Sequence, residues 1–212
     1  GHYIFSKADK IIAVVKECER HLIQFFNISK ERIIVNNLSV DTSLFHYTLS
    51  GRNQIRKKYK VSDDELLFIC IGLFTRRKKI ELYLDMMEKL MNENARLLLV
   101  GNFDKGYQED IEYLIDKKDL NDKIIITGKV NKNEVINYIS AADIGVYLAN
   151  ASVVWLEIMS CGLPLIGPRG MQLSHLLQGN AKTIEYCNTD DAAKEIKKLI
   201  NNVSVLENMG KR

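Results

Sequence analysis

From residue 66 onward, short apolar runs alternate with segments whose apolar positions recur every three or four residues. The runs are LLFICIG (66–72), RLLLVG (96–101), KIIITG (123–128), IGVYL (144–148), PLIG (164–167) and TIEY (183–186). Their length, β-branched content and flanking glycines read as strands buried on both faces. Between them, segments at about 79–91, 107–117 and 131–140 place apolar residues on one helical face, as with Leu82, Met86, Met87 and Leu90. These predict crossover helices. Strands alternating with helices of this length require parallel pairing and right-handed connections. The predicted fold class is therefore α/β, a Rossmann-like doubly wound parallel sheet of about six strands with helices on both faces.

The first 65 residues follow a different rhythm. KIIAVV (10–15) and RIIV (32–35) read as strands, Lys16 to Phe26 as a helix, and NNLSVDTSLFHY as an irregular passage. A short polar helix from Asn53 to Lys60 then leads through the turn VSDDE (61–65) into the main sheet. This pattern predicts a boundary near residues 45–52, dividing the chain into a 1–48 portion that ends another unit and a 49–212 domain.

Composition narrows the class without naming it. With 212 residues, 46% hydrophobic and 27% charged, the chain can bury a proper core. A net charge of +3 gives no global argument for a nucleic-acid partner, so partners must be argued locally. Cys18, Cys70, Cys161 and Cys187 show no CxxC spacing and are expected to be reduced thiols. No apolar run reaches the ~18 residues that cross a bilayer, and the amino terminus lacks a signal-peptide pattern. The four histidines assemble no metal cluster or nucleophilic triad, so no metal and no cofactor are expected.

Candidate chemistry collects at the carboxyl ends of the strands. Gly72, Gly101 and Gly128 each close an apolar run, where a ligand can approach bare backbone. TRRKK (75–79) follows the first run and is expected to open the first crossover helix. Cations there oppose the helix dipole unless an anion neutralises them; the alternative is a solvated basic face. After the 144–148 strand come Asn150 and Ser152, both N-cap types, then a helix carrying Glu157 and ended by Cys161-Gly162 and Pro164. Glu157 lies on an otherwise apolar helix and so is expected to be packed and partnered. It could accept from vicinal sugar hydroxyls, form an internal salt bridge or face solvent. His175 is expected on a surface helix, Trp155 in the core, and GNFDKG (101–106) as a loop that matches no phosphate-binding motif.

These segments, SKADKIIAVV, NNLSVDTSLF, IGLFTRRKKI, LLLVG, IIITGKV, INYISAADIGVY and EIMSCGLPLIG, occur in the order found in one enzyme family. The chain resembles the carboxyl-terminal half of GT-B fold glycosyltransferases, in the large retaining family of bacterial polysaccharide and lipopolysaccharide hexosyltransferases. The resemblance implies that residues 1–48 end the acceptor domain and that residues 49–212 bind the donor. It puts Lys78 on the donor diphosphate, Glu157 on the donor ribose, Val130 in the loop lining the base, and the amides of 151–153, including Ser152 and Val153, around the diphosphate.

The chain also departs from that pattern. The family's sugar-binding acid is here Ala149, its Gly-Phe-Gly is Asn150, Ala151 and Ser152, its diphosphate arginine is Leu73, and the glycine after its lysine is Lys79. Arg76 or Arg77 is expected to supply the missing cation. The resemblance thus implies a hexosyltransferase using a UDP- or GDP-hexose with retention, toward a glycan or lipid-linked acceptor held by a missing amino-terminal domain. It also implies a bacterial-type cytoplasmic enzyme, either free or peripheral to the inner face of the plasma membrane. This portion is expected to be inactive alone. Ala149 and Leu73 keep a second reading open, a degenerate binding or scaffold subunit; an epimerase of the same fold would need acids and a histidine that have no match here.

Overall fold

The computed structural model describes residues 2–170, 176, 177 and 179–210. His175 lies outside the described residues. The chain forms two compact units, Gly1–Val40 and Asp41–Arg212. In the first, helix α1 (His2–Lys7) precedes a parallel pair of short strands, β1 (Ile11–Ala13) and β2 (Ile33–Val35), connected through helix α2 (Lys16–Phe26). Its small core is Ala13, Leu22, Ile28 and Ile33. Helix α1 was not expected from the sequence; its span HYIFSK has neither an acidic first turn nor an apolar repeat long enough to register.

The second unit opens with helix α3 (Leu49–Lys58) and then builds one parallel sheet. Its strands are β3 (Leu66–Ile71), β4 (Ala95–Val100), β5 (Ile124–Ile126), β6 (Ile144–Val146), β7 (Leu165–Pro168) and β8 (Ala181–Ile184). They lie in the order β5-β4-β3-β6-β7-β8. The intervening helices are α4 (Ile80–Lys89), α5 (Tyr107–Lys117), α6 (Val135–Ala141) and α7 (Val154–Ser160), and α8 (Thr189–Ile200) and α9 (Val203–Gly210) close the unit. All six expected strands are present, and helices on both faces leave Leu67, Phe68, Ile69, Leu97, Leu98 and Leu99 with no exposed surface. Hence the strands read as unbroken apolar runs rather than alternating ones. The four cysteines are free, and burial pushes the Cys70 thiol up to about 11 and that of Cys161 up to about 12. No helix among the described residues is long and apolar enough to cross a membrane.

The winding direction reverses between β3 and β6. These two strands pair only at Phe68 with Ile144 and Ile69 with Gly145, then separate toward their carboxyl ends. Buried tyrosines take over the backbone groups left by the separation. The Tyr147 hydroxyl accepts from the Ile71 N–H at 3.3 Å, and the Tyr83 hydroxyl accepts from the Leu148 N–H at 3.2 Å. At the neighbouring strand ends, Gly101 has φ +134°, and a Cβ there would stand 2.0 Å from the Gly72 carbonyl oxygen. Only glycine permits these two strand ends to touch.

At the opposite edge, Asp143 ties α3 to the sheet. Its carboxylate accepts from Arg52 at 2.9 Å, from Arg56 at 3.3 Å and from the Leu67 N–H at 2.8 Å. The Arg56 side chain is only 3% exposed and also donates to the carbonyls of Ala141 and Ser62, both at 2.8 Å, and of Glu65. Removing the carboxylate would leave a buried guanidinium without its counter-charge. Asp143→Ala is expected to cost roughly 3–5 kcal/mol in urea unfolding followed by circular dichroism. A loss below about 1 kcal/mol would show that the backbone carbonyls alone satisfy Arg56.

Candidate functional site

The space opened by the separation of β3 and β6 is where ligands bind in doubly wound sheets. A cleft of about 620 Å3 lies there. The β3–α4 turn supplies Leu73, Thr75, Arg76, Arg77 and Lys78; the β4–α5 loop supplies Asp104, Lys105 and Tyr107; and Asn150 and Ala151 come from the β6–α7 loop. A larger cavity of about 860 Å3 lies at the other edge, beside Arg52, Asp143, Cys161 and Leu206. Its arginine is already neutralised by Asp143, whereas three of the four cations lining the first cleft have no acidic partner among the described residues. Charge rather than volume selects the first.

The basic turn folds differently from the sequence expectation. Arg76–Lys78 form a separate 3-10 turn, and α4 begins only at Ile80 with Glu81 in its first turn. The cations therefore precede the helix instead of forming its first turn, and the first turn itself carries the acid Glu81. Lys79, in the left-handed region at φ 51°, makes the break between the two. Its ammonium lies 3.4 Å from Cys187 Sγ and 5.3 Å from the Tyr186 ring, contacts that help hold a conformation costing roughly 1–2 kcal/mol outside glycine.

The four cleft cations are not equivalent. Arg76 pairs with Asp110 and lies 5.2 Å over the Tyr107 ring. Among the described residues, Arg77, Lys78 and Lys105 have no acidic partner. Lys78 Nζ stands 3.9 Å from the point where a Cβ on Gly72 would sit, so its ammonium overhangs the bare strand end. Asn150 Nδ2 donates to the Arg77 carbonyl at 2.8 Å, tying the β6–α7 loop to the basic turn and leaving Oδ1 free to accept.

The other expected site residues stand beyond the cleft lining. Val130 is half-buried past the end of β5, Ser152 is half-buried and Val153 is 55% exposed. Helix α7 starts at Val154 with Val153 in the N-cap position and no side-chain cap; Ser152 Oγ instead accepts from the Val154 N–H at 3.4 Å. Trp155 is fully buried, as expected. Ala149 is 1% exposed and Leu73 57%, so an inert methyl and an apolar side chain occupy the positions where the resemblance implies an acid and an arginine. Sequence reasoning passed over Asp104, Lys105 and Tyr107, because the 101–106 loop matches no motif. Only its place after a strand-end glycine pointed to the cleft.

Glu157 is half-buried on α7, and among the described residues it has neither a hydrogen-bond partner nor an ion pair. Of the three readings open for it, the internal salt bridge is not formed among the described residues. Burial raises its carboxyl above the ordinary value of 4.5, with Lys132 pulling it back through space. The described residues contain no group of three His, Cys, Asp or Glu side chains able to hold a metal ion.

The fold is that of the carboxyl-terminal half of GT-B glycosyltransferases. Residues 51–212 match the model of the family "Glycosyl transferases group 1", and the chain belongs to that family. N-acetyl-alpha-D-glucosaminyl L-malate synthase of Bacillus anthracis is 27% identical over 172 residues, 78% of this chain and 44% of that protein. Sucrose-phosphate synthase from Thermosynechococcus elongatus superposes with a TM-score of 0.87 at 22% identity, covering 99% of this chain and 53% of that one. Anabaena HepE, solved in complex with UDP-glucose, superposes with a TM-score of 0.83 at 18% identity, covering 95% and 57%. The chain spans less than half the length of the curated relatives it matches.

The state of Glu157 gives a testable consequence. Because the folded carboxyl titrates above the unfolded one, the folded chain holds its proton longer, and this group removes stability as pH rises through the carboxylate range. Glu157→Gln is expected to melt higher than the unsubstituted chain at neutral pH, with the gap closing as pH falls below the ordinary carboxylate value. A constant gap at all pH values would mean that Glu157 does not carry an unpartnered charge.

Proposed function

We propose that this chain is the donor-binding half of a retaining hexosyltransferase, taking a hexose from a UDP- or GDP-hexose to a glycan or lipid-linked acceptor. The observation that carries the reading is the set of cations without an acidic partner among the described residues, Arg77 and Lys78 above all, that line the cleft where β3 and β6 part. A nucleoside diphosphate supplies the anion such a cluster lacks. When the glycosidic bond breaks, negative charge grows on the departing diphosphate, and cations already fixed in place stabilise that charge without reorganising. Enzyme side chains carry this neutralisation in the reading, and no metal is assigned a part.

Glu157 fits the remaining polar demand. As a half-buried carboxylate it accepts hydrogen bonds from the two ribose hydroxyls, which replace the solvation it has lost. Val130 is assigned to the base and the amides near Ser152 and Val153 to the diphosphate. Residues 1–48 are assigned to the end of an acceptor-binding domain. The enzyme is placed in the cytoplasm, free or peripheral to the inner membrane face, with no nucleic-acid partner. Support comes from family membership and from the neighbour that holds UDP-glucose in the same fold.

Isothermal titration with UDP, GDP and their hexose conjugates tests the assignment. One base is expected to bind at micromolar affinity, and Lys78→Ala and Glu157→Ala to weaken it by about tenfold or more, the loss typical of a charge-assisted hydrogen bond. Conjugates binding more tightly than the bare diphosphate would support a transferase. A folded chain that binds no nucleotide would overturn the donor-site reading in favour of a scaffold subunit.

A further inference from the structure

The cleft cations can act together on a diphosphate only if the turn that carries them is fixed, and the turn itself has few internal bonds. The neighbouring β4–α5 loop and the head of α5 supply the fixing. Phe74, just before the turn, donates its N–H to the Asn102 carbonyl at 2.7 Å, and its own carbonyl accepts from the Asp104 N–H at 2.9 Å. The rings of Phe74 and Phe103 lie 4.7 Å apart, and those of Phe103 and Tyr107 5.9 Å. Tyr107, only 1% exposed, then reaches past the turn to the beginning of α4. Its hydroxyl accepts from the Ile80 N–H at 2.8 Å and donates to Glu81 Oε2 at 2.7 Å.

This bond pair occupies a particular place. Ile80 is the first residue of α4, so its N–H has no partner within the helix. Glu81 places a carboxylate beside it, favourable to the helix dipole. The phenol joins the two and closes the basic turn from its carboxyl side, while Phe74 closes it from the amino side. Arg76 rests on the face of the same ring and pairs with Asp110 on α5. That pair is exposed on both sides and adds little rigidity by itself. Burial, with the bond to Glu81, holds the phenol protonated well above the ordinary tyrosine range, so it donates throughout neutral pH.

We propose that Tyr107 is a positioning residue for the donor diphosphate, holding Arg77 and Lys78 in their binding arrangement through its hydroxyl bonds to Ile80 and Glu81. The proposal rests on the donor-site reading above. It differs from a purely structural role in one respect: losing the hydroxyl should affect the diphosphate and spare the nucleoside.

Tyr107→Phe keeps the ring and its packing while deleting both bonds. The test is titration of the full chain and the variant with UDP, GDP, uridine and guanosine, together with amide hydrogen exchange at Ile80 without nucleotide. The variant is expected to bind the diphosphate about fivefold to tenfold more weakly, with unchanged nucleoside affinity and faster exchange at Ile80. Unchanged diphosphate affinity in Tyr107→Phe, or equal weakening of nucleoside and diphosphate, would overturn the proposal while leaving the donor site standing. Failure of the unsubstituted chain to bind any nucleotide would overturn the donor-site reading, and the role of Tyr107 with it.

Discussion

The separation of β3 from β6 is the constraint from which the site follows. Strands that stopped pairing inside a packed sheet would leave backbone N–H and C=O groups buried without partners, at a cost of ~1–3 kcal/mol each. Here the hydroxyls of Tyr147 and Tyr83 supply bonds to Ile71 and Leu148, so the chains diverge while their backbone groups stay paired. The contact of Gly101 with Gly72 holds the next pair of strand ends together on one side of the gap. The opening is therefore a product of the sheet itself, and the three loops that reach it are anchored to rigid strands.

Charge is then placed at the rim in two kinds. Arg76 is spent on Asp110 and the Tyr107 ring, while Arg77 and Lys78 have no acidic partner among the described residues. Lys79 breaks the chain between the 3-10 turn and α4, at the position where the family pattern carries glycine. The left-handed backbone at Lys79 gives the physical reason for a glycine there. Ala149 is harder to absorb, since a buried methyl cannot replace a hydroxyl acceptor. Any sugar held at this site must find its contacts elsewhere, and Asn150, next to Ala149, keeps Oδ1 free to accept on the same loop.

Much of the architecture was legible because parallel strands buried on both faces leave a strong signal in sequence. The six runs from LLFICIG to TIEY gave the sheet, and Lys16–Phe26 was read with its full extent. Helix α8 could have been anticipated from NTDD, since Asn188 caps it by accepting from the Asp191 N–H. The site was only partly legible. TRRKK announced itself by charge, but its break from α4 depends on one backbone dihedral at Lys79. Tyr107 was invisible because its meaning lies in a bond to Ile80, 27 residues away in the chain. Local pattern reports which residues are apolar or charged; it does not report which hydroxyl meets which amide.

The most direct test of the account is to map where a nucleoside diphosphate touches the chain, by following backbone amide shifts as UDP or GDP is added. The largest changes are expected at Gly72 and across Arg76 to Lys78, and at Asn150 and Ala151, the two strand-end segments that meet at the switch point. Changes confined to the cavity at the opposite edge, around Arg52, Asp143 and Leu163, would contradict it and separate the ligand site from the cation cluster.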